Sequence, residues 1–211
     1  MDGKTSFDPS QADAAQLYKL LAGLVVPRPI ALVSTINAQG VRNLAPFSWF
    51  SVAATDPPYL SVSIARRADG RRKDTLENLL QTRVFTVNLV GEEMAVQQDR
   101  CAQDFPAEAD EFEVAGLTPV PGTRVPSFCV AESRAWFECE LFQSLALPDS
   151  SYTLVIGKVL MIHVDERVLD QRLRIDPDRL NAIGRLAGRS YCRLNDRFML
   201  DHDSFKQASR G

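Results

Sequence analysis

Histidine is scarce in this sequence, and several familiar signatures are missing. Only His163 and His202 are present, too few for a three-histidine metal site. His163 lies in a strand-like run and reads as structural, while His202, in the polar C-terminal stretch, reads as exposed. No GxGxxG, GxxxxGK[ST], GxSxG or HExxH occurs. Dinucleotide folds of the doubly wound type, P-loop enzymes, hydrolases with a nucleophile elbow and zinc peptidases are therefore not indicated. The four cysteines, Cys101, Cys129, Cys139 and Cys192, form no CxxC pair and read as reduced, packed thiols. No apolar run approaches the ~18 residues that a membrane helix needs. The opening MDGKTSFDPS lacks the apolar centre of an export signal, so the expectation is a cytoplasmic protein without a membrane partner. A general basic excess is missing too: the net charge is −3, which argues against nucleic acid.

What is present is a chain of 211 residues, 45% of them hydrophobic, enough for one core. One domain over 1–211 is expected, with 1–9 as a loose arm. Charge is unevenly spread. Acids crowd residues 92–113, where Asp110 and Glu111 read as part of a solvated acidic loop. Arg66, Arg67, Arg71, Arg72 and Lys73 crowd one short stretch, and arginines recur from Arg172 to Arg197. A local basic cluster on an acidic chain suits a small anion better than a long polyanion. The alternative is solvated surface arginine.

Ser10 opens a helical pattern with Asp13 three residues on, and Leu17, Leu20, Leu21 and Leu24 recur at helical spacing, as a core-facing stripe would. Pro27-Arg28-Pro29 stops it. Strands are expected at Ile30–Thr35, Phe47–Ala53, Tyr59–Ile64 and Phe85–Val90, with Asn37–Gly40 as a hairpin turn. Helices are expected from Asp74 to about Gln81 and over Glu92–Cys101. Residues 104–126 read as a long loop. Two long β-rich runs follow, Trp136–Leu145 and Tyr152–Val164, and a last short strand is expected near Phe198. Strands dominate without a strand–helix–strand rhythm, so the fold class is mainly β: an antiparallel barrel with a few covering helices.

Two segments carry candidate chemistry. Arg72-Lys73-Asp74-Thr75 stands at a helix start, where free amides and the helix dipole attract an anion such as phosphate. Asp74 opposes this unless its side chain turns away to cap the helix. The second segment is Arg42-Asn43-Leu44-Ala45-Pro46-Phe47-Ser48, whose small residues and proline leave backbone groups accessible to the edge of a flat polar ring. A strand entry with a proline kink is the other reading. On Tyr59–Ile64, Ser61 and Ser63 share the face opposite Leu60, Val62 and Ile64, which is either room for a ligand or an ordinary solvated face.

The order of these pieces resembles the flavin reductase-like family of FMN-binding split barrels. The resemblance rests on Arg28-Pro29-Ile30-Ala31-Leu32-Val33-Ser34-Thr35, Asn43-Leu44-Ala45-Pro46-Phe47-Ser48, Pro57-Pro58, Lys73-Asp74-Thr75 with Asn78, and Phe85-Thr86-Val87-Asn88-Leu89. It continues through Asp110-Glu111-Phe112, Ala115-Gly116-Leu117, Glu132-Ser133, Gly157 with Val159 and His163, and Gly184-Arg185-Leu186 with Gly188 and Tyr191. These pieces span roughly residues 18–200. Two departures stand out. Lys158 replaces a frequent acid, and Ala187 replaces a glycine.

The resemblance implies a Greek-key split β-barrel that forms a homodimer with FMN near the subunit interface. Carried over by position, Asn43, Leu44, Ala45, Pro46 and Ser48 line the flavin, and Ser61, Ser63 and Ala65 belong to the strand beneath it. Arg72, Lys73 and Thr75 hold its phosphate. Arg28, Arg185 and Tyr191 belong to the same cofactor-binding set. No catalytic side chain and no metal is implied, because the flavin carries the chemistry. The implied activity is an NAD(P)H-dependent flavin reductase that supplies reduced flavin or electrons to an acceptor or a monooxygenase partner. Two alternatives remain: a flavoredoxin-like FMN electron carrier without nicotinamide turnover, and a non-catalytic FMN-binding module.

Overall fold

The computed structural model describes residues 3–200; His202 lies outside them. The elements in chain order are α1 (Ala14–Leu24), β1 (Ala31–Ile36), β2 (Arg42–Phe47), β3 (Phe50–Thr55), β4 (Pro58–Ala65), α2 (Asp74–Thr82), β5 (Val84–Leu89), α3 (Ala95–Arg100), α4 (Glu111–Ala115), β6 (Pro119–Pro121), β7 (Phe128–Val130), β8 (Ala135–Ala146), β9 (Tyr152–Val164), α5 (Pro177–Leu180), β10 (Ile183–Arg185) and β11 (Tyr191–Arg193).

Seven strands form one sheet in the order β2-β1-β5-β8-β9-β4-β3, and every neighbouring pair is antiparallel. The register of β8 against β9 shifts at Glu138/Cys139 and again at Leu141/Gln143. Such bulges bend long strands and let a sheet curl. The connection between the two edge strands β2 and β3 is fastened back to β4, where the Ser63 amide donates to the Trp49 carbonyl at 2.9 Å. The expected antiparallel split barrel is therefore the fold.

Two apolar clusters explain which residues face where. One joins Val33, Phe47, Leu60, Val62, Phe85 and Val155 with Leu76 and Leu79 of α2. The other joins Leu32, Leu44, Met94, Phe112, Leu117 and Val130. β1 is buried along both faces, so its sequence is a nearly continuous apolar run rather than an alternating one. Gly157 stands against Phe85: a Cβ there would lie 2.3 Å from the ring.

Several expectations need correction. α1 is capped by Asp13, not by Ser10. The Asp13 carboxylate accepts the Gln16 amide at 2.8 Å and the Gln16 side chain accepts the Asp13 amide at 3.2 Å, a full capping box. Ser10 instead sits in a short 3₁₀ turn capped by Asp8. The stripe on α1 does not cover the core: Leu24 is 76% and Leu21 52% exposed, and Ala22 alone on this helix is buried. The strand placed at Phe47–Ala53 is two strands broken at Ser48-Trp49. Residues 104–126 contain α4 and β6, and Phe198 lies in no strand. Glu111 is not solvated but only 6% exposed.

Among the cysteines, Cys101, Cys129 and Cys139 are buried free thiols and Cys192 is half-buried. His163 is held structurally. Its ring stacks on Trp136 with centroids 5.2 Å apart, and its Nε2 lies 2.7 Å from Glu138. Among the described residues no helix is long and apolar enough to cross a membrane.

Candidate flavin site

The start of α2 is open to an anion. Its N-cap is Lys73, whose side chain makes no capping bond. Leu76 and Glu77 are the first residues whose amides reach back, both to the Lys73 carbonyl, so the amides of Asp74 and Thr75 precede the first helical bonds. Asp74 does not cap the helix. It pairs with Arg67, which offsets its charge, yet it still lines the cleft at the helix start. Arg66, Arg67, Arg71 and Arg72, with the acids Asp74 and Glu77 and with Phe105, Pro106 and Ala107, line a cleft of about 460 Å³ at this helix end. Lys73 lies 3.5 Å from Asp104 and Arg72 3.4 Å from Glu77, both loose, partly exposed pairs that a bound phosphate can compete with.

Thr75 and Asn43 are brought together. The buried Asn43 amide nitrogen donates to Thr75 Oγ1 at 3.0 Å, tying β2 to the helix start. Thr75 is 1% exposed, so its hydroxyl is a strut between the two segments rather than an open donor. Leu44 and Ala45 also point inward: Leu44 is in the second cluster and Ala45 packs against the first. What the segment offers outward is its far end. Pro46 and Ser48 line a cleft of about 150 Å³ with Tyr18, Gln98, Arg185 and Tyr191.

That cleft gathers more of the expected residues. The Arg185 guanidinium lies over the Tyr191 ring, 4.5 Å from its centroid. Gln98 donates to the Tyr191 hydroxyl at 2.8 Å, and that hydroxyl donates to Asp99 at 3.4 Å. Gln98, Asp99 and Tyr18 were missed by the sequence reading, because no local pattern marks them. Arg28 is placed differently. It is buried, and its side chain donates to the carbonyls of Ala22 at 2.6 Å, Val25 at 2.8 Å and Leu186 at 3.0 Å and to Ser48 Oγ at 3.3 Å. It pins the end of α1, the tail and the Ser48 bend together.

On β4 the two serines separate. Ser63 shares a groove of about 500 Å³ with Tyr18, Leu21, Trp49 and Tyr152. Ser61 donates to the Ser51 carbonyl of the neighbouring strand. Ala65 pairs with Tyr152 of β9. Neither Ser61 nor Ala65 lines the clefts that hold Pro46 or Arg72.

Comparison with known proteins settles the family. The Flavin reductase like domain matches residues 23–184. The chain belongs to the flavin reductase like family. Nitrilotriacetate monooxygenase component B from Bacillus cereus is similar over 95% of this chain and 100% of that one, at 34% identity and a TM-score of 0.89. The 2-nitrobenzoate 2-nitroreductase NbaA from Pseudomonas fluorescens is similar over 93% of this chain and 95% of that one, at 32% identity and a TM-score of 0.85. A protein with a split barrel domain from Shewanella frigidimarina shares the fold, with a TM-score of 0.82 at 22% identity, over 94% of this chain and 100% of that one. For a flavin reductase like protein the donor set fits: cations and free amides at one helix start, and small residues at the neighbouring bend.

Proposed function

We propose that this protein binds FMN and acts as an NAD(P)H-dependent flavin reductase, as one flavin-binding unit per chain in a homodimer. One observation carries the reading. The cation-lined start of α2 and the Asn43–Ser48 segment are joined by the Asn43–Thr75 hydrogen bond, so a phosphate site and a ring site come as one rigid piece. In this reading Lys73, Arg72 and the first amides of α2 hold the phosphate. Pro46 and Ser48 flank the ring, and Ser61, Ser63 and Ala65 supply the strand beside it. Arg185 and Tyr191 close the same cleft, and Arg28 and Thr75 hold the frame.

A bound flavin supplies hydride chemistry at its N5. The chain's part is to bind, orient and exclude water. The overall reaction oxidises NADH or NADPH and delivers an electron pair to oxygen, a monooxygenase partner or another acceptor. Likeness to a monooxygenase component B supports the partner.

The dimer rests on uncovered apolar surface. Tyr18, Leu21, Leu24, Val25 and Val26 form an exposed stripe on and after α1, beside the groove that holds Ser63. A stripe this large on one helix is costly unless covered. Anaerobic mixing of the FMN-loaded protein with NADH or NADPH tests the reading. Bleaching of the yellow band supports the reductase, whereas a yellow protein inert to both nucleotides marks a carrier or a binding module.

A further inference from the structure

The Asn43–Ser48 segment is held at three points, and the third has no role in the flavin reading. Asn43 bonds Thr75 and Ser48 bonds Arg28. Between them the Leu44 amide donates to Glu111 Oε2 at 3.1 Å. β2 is an edge strand with β1 as its one strand neighbour, so this amide has no partner in the sheet. It faces α4, and Glu111 reaches it from the first residue of that helix.

We propose that Glu111 is a positioning residue for the flavin segment: from α4 it fixes the open edge of β2 at Leu44, and so sets where Pro46 and Ser48 stand. The inference rests on the flavin reading above.

The placement of α4 is rigid enough for this role. Phe112 and Ala115 are buried in the same cluster as Leu44. The Asp110 side chain caps the helix at the Phe112 amide, 3.0 Å away, and also accepts the Arg42 Nε at 2.5 Å. Arg42 belongs to β2 as well, so strand and helix are joined both at the half-buried Arg42 and at the buried Leu44. The Glu111 backbone carbonyl takes a weak contact from the Cys101 thiol at 3.8 Å. Glu111 is thus a buried carboxyl that accepts a backbone amide of the strand that matters, with its own backbone amide as a further pull on it.

Its surroundings give the contact a second property. The titratable and charged groups that face it are Asp110 on its own helix, Asp74 at the start of α2, the Cys101 thiol after α3 and Arg42 on β2. Of the cations on these elements, Arg42 is committed to Asp110, and Asp74 is itself paired with Arg67. Burial, aided by the two aspartates, pushes the Glu111 carboxyl up to about 7, against the opposing pull of the Leu44 amide. Near neutral pH the group therefore exists in both forms. A carboxyl whose value is raised where it docks favours docking in its neutral form, so the strand edge is held more tightly at pH 6 than at pH 8, although the ionised form makes the stronger single bond to an amide.

Two variants and one resonance test this. Glu111→Gln keeps an oxygen for Leu44 but cannot ionise, and Glu111→Leu removes the acceptor. In the flavin-free wild-type protein the Leu44 amide proton should shift with pH, with a midpoint near 7, and the shift should vanish in Glu111→Gln. FMN affinity, read by flavin fluorescence quenching, should fall about tenfold or more at pH 6 in Glu111→Leu, where the buried Leu44 amide loses its acceptor. In Glu111→Gln it should stay within about threefold of wild type and lose the wild-type change between pH 6 and pH 8. A Leu44 amide that does not titrate in the wild type overturns the proposal, even if Glu111→Leu fails to fold. So does a folded Glu111→Leu that binds FMN as the wild type does. If the wild type itself binds no FMN, the flavin reading fails and this proposal, which rests on it, falls with it; titration of the Leu44 amide still decides separately whether Glu111 holds the strand.

Discussion

Replacing Glu138 by Gln should cost more than any surface substitution in this chain, and should do so in a pH-dependent way. Glu138 is fully buried on β8. Its carboxylate accepts the amides of Thr123, Arg124 and Val125 at 3.0, 2.6 and 2.9 Å and the Thr123 hydroxyl at 2.8 Å, and it lies 2.7 Å from His163. Burial pushes its carboxyl up, but these donors pull harder and hold it down at about 2. Against an ordinary value of 4.5, that difference contributes about 3 kcal/mol to stability. The folded value is depressed, so the contribution is complete above about pH 4.5 and is lost as pH falls towards 2. Glutamine cannot ionise and must aim its NH₂ group at amides that themselves donate. Glu138→Gln should therefore lose about 3 kcal/mol at pH 7, a fall in Tm of roughly 6–12 °C for a chain of this size. The deficit should shrink steadily as the pH is lowered towards 3. Urea unfolding followed by tryptophan fluorescence measures it, since Trp136 stacks on His163 beside the site. A loss under about 1 kcal/mol at pH 7, or a deficit that does not change with pH, would refute the reasoning.

Three further outcomes are expected. Lys73→Ala should weaken FMN about tenfold or more and leave riboflavin nearly unchanged, because a charged phosphate contact is worth roughly 1.5–3 kcal/mol; equal losses for both ligands would remove Lys73 from the phosphate site. Gly157→Ala should destabilise by about 1–3 kcal/mol in thermal melts, since the new methyl overlaps the Phe85 ring in a packed core. Leu21→Asp combined with Leu24→Asp should leave the fold intact, as both side chains are exposed, and should turn a dimer in sedimentation into a monomer. A double variant that stays dimeric would take α1 out of the interface.

Local chemistry made much of the fold legible. Alternation in Tyr59–Ile64 put Leu60, Val62 and Ile64 inside, as observed. Asn37–Gly40 turned the β1–β2 hairpin, and the two long β runs became β8 and β9. What stayed hidden depends on partners distant in sequence. The apolar spacing of α1 shows that a stripe needs cover, but it cannot say whether the cover is the core or another surface. Glu111 looked like one acid among many, because the amide it holds on β2 lies 67 residues away on an edge strand. Thr75 was legible as part of the site, yet its burial turned an expected open hydroxyl into a strut to Asn43. Arg28 likewise belonged to the right neighbourhood but serves as a brace, since its carbonyl partners lie in the α1 end and the tail.

The central claim is that the α2 start and the β2 bend together form an FMN site served by a nicotinamide nucleotide. Equilibrium titration of the flavin-free protein with FMN, continued anaerobically with NADH and then NADPH, tests it in one cuvette. Saturation at equimolar FMN, weaker binding of riboflavin and bleaching of the bound flavin by at least one nucleotide are expected. A protein that stays colourless after FMN is added and removed by gel filtration, and quenches no flavin fluorescence at micromolar concentration, would contradict it.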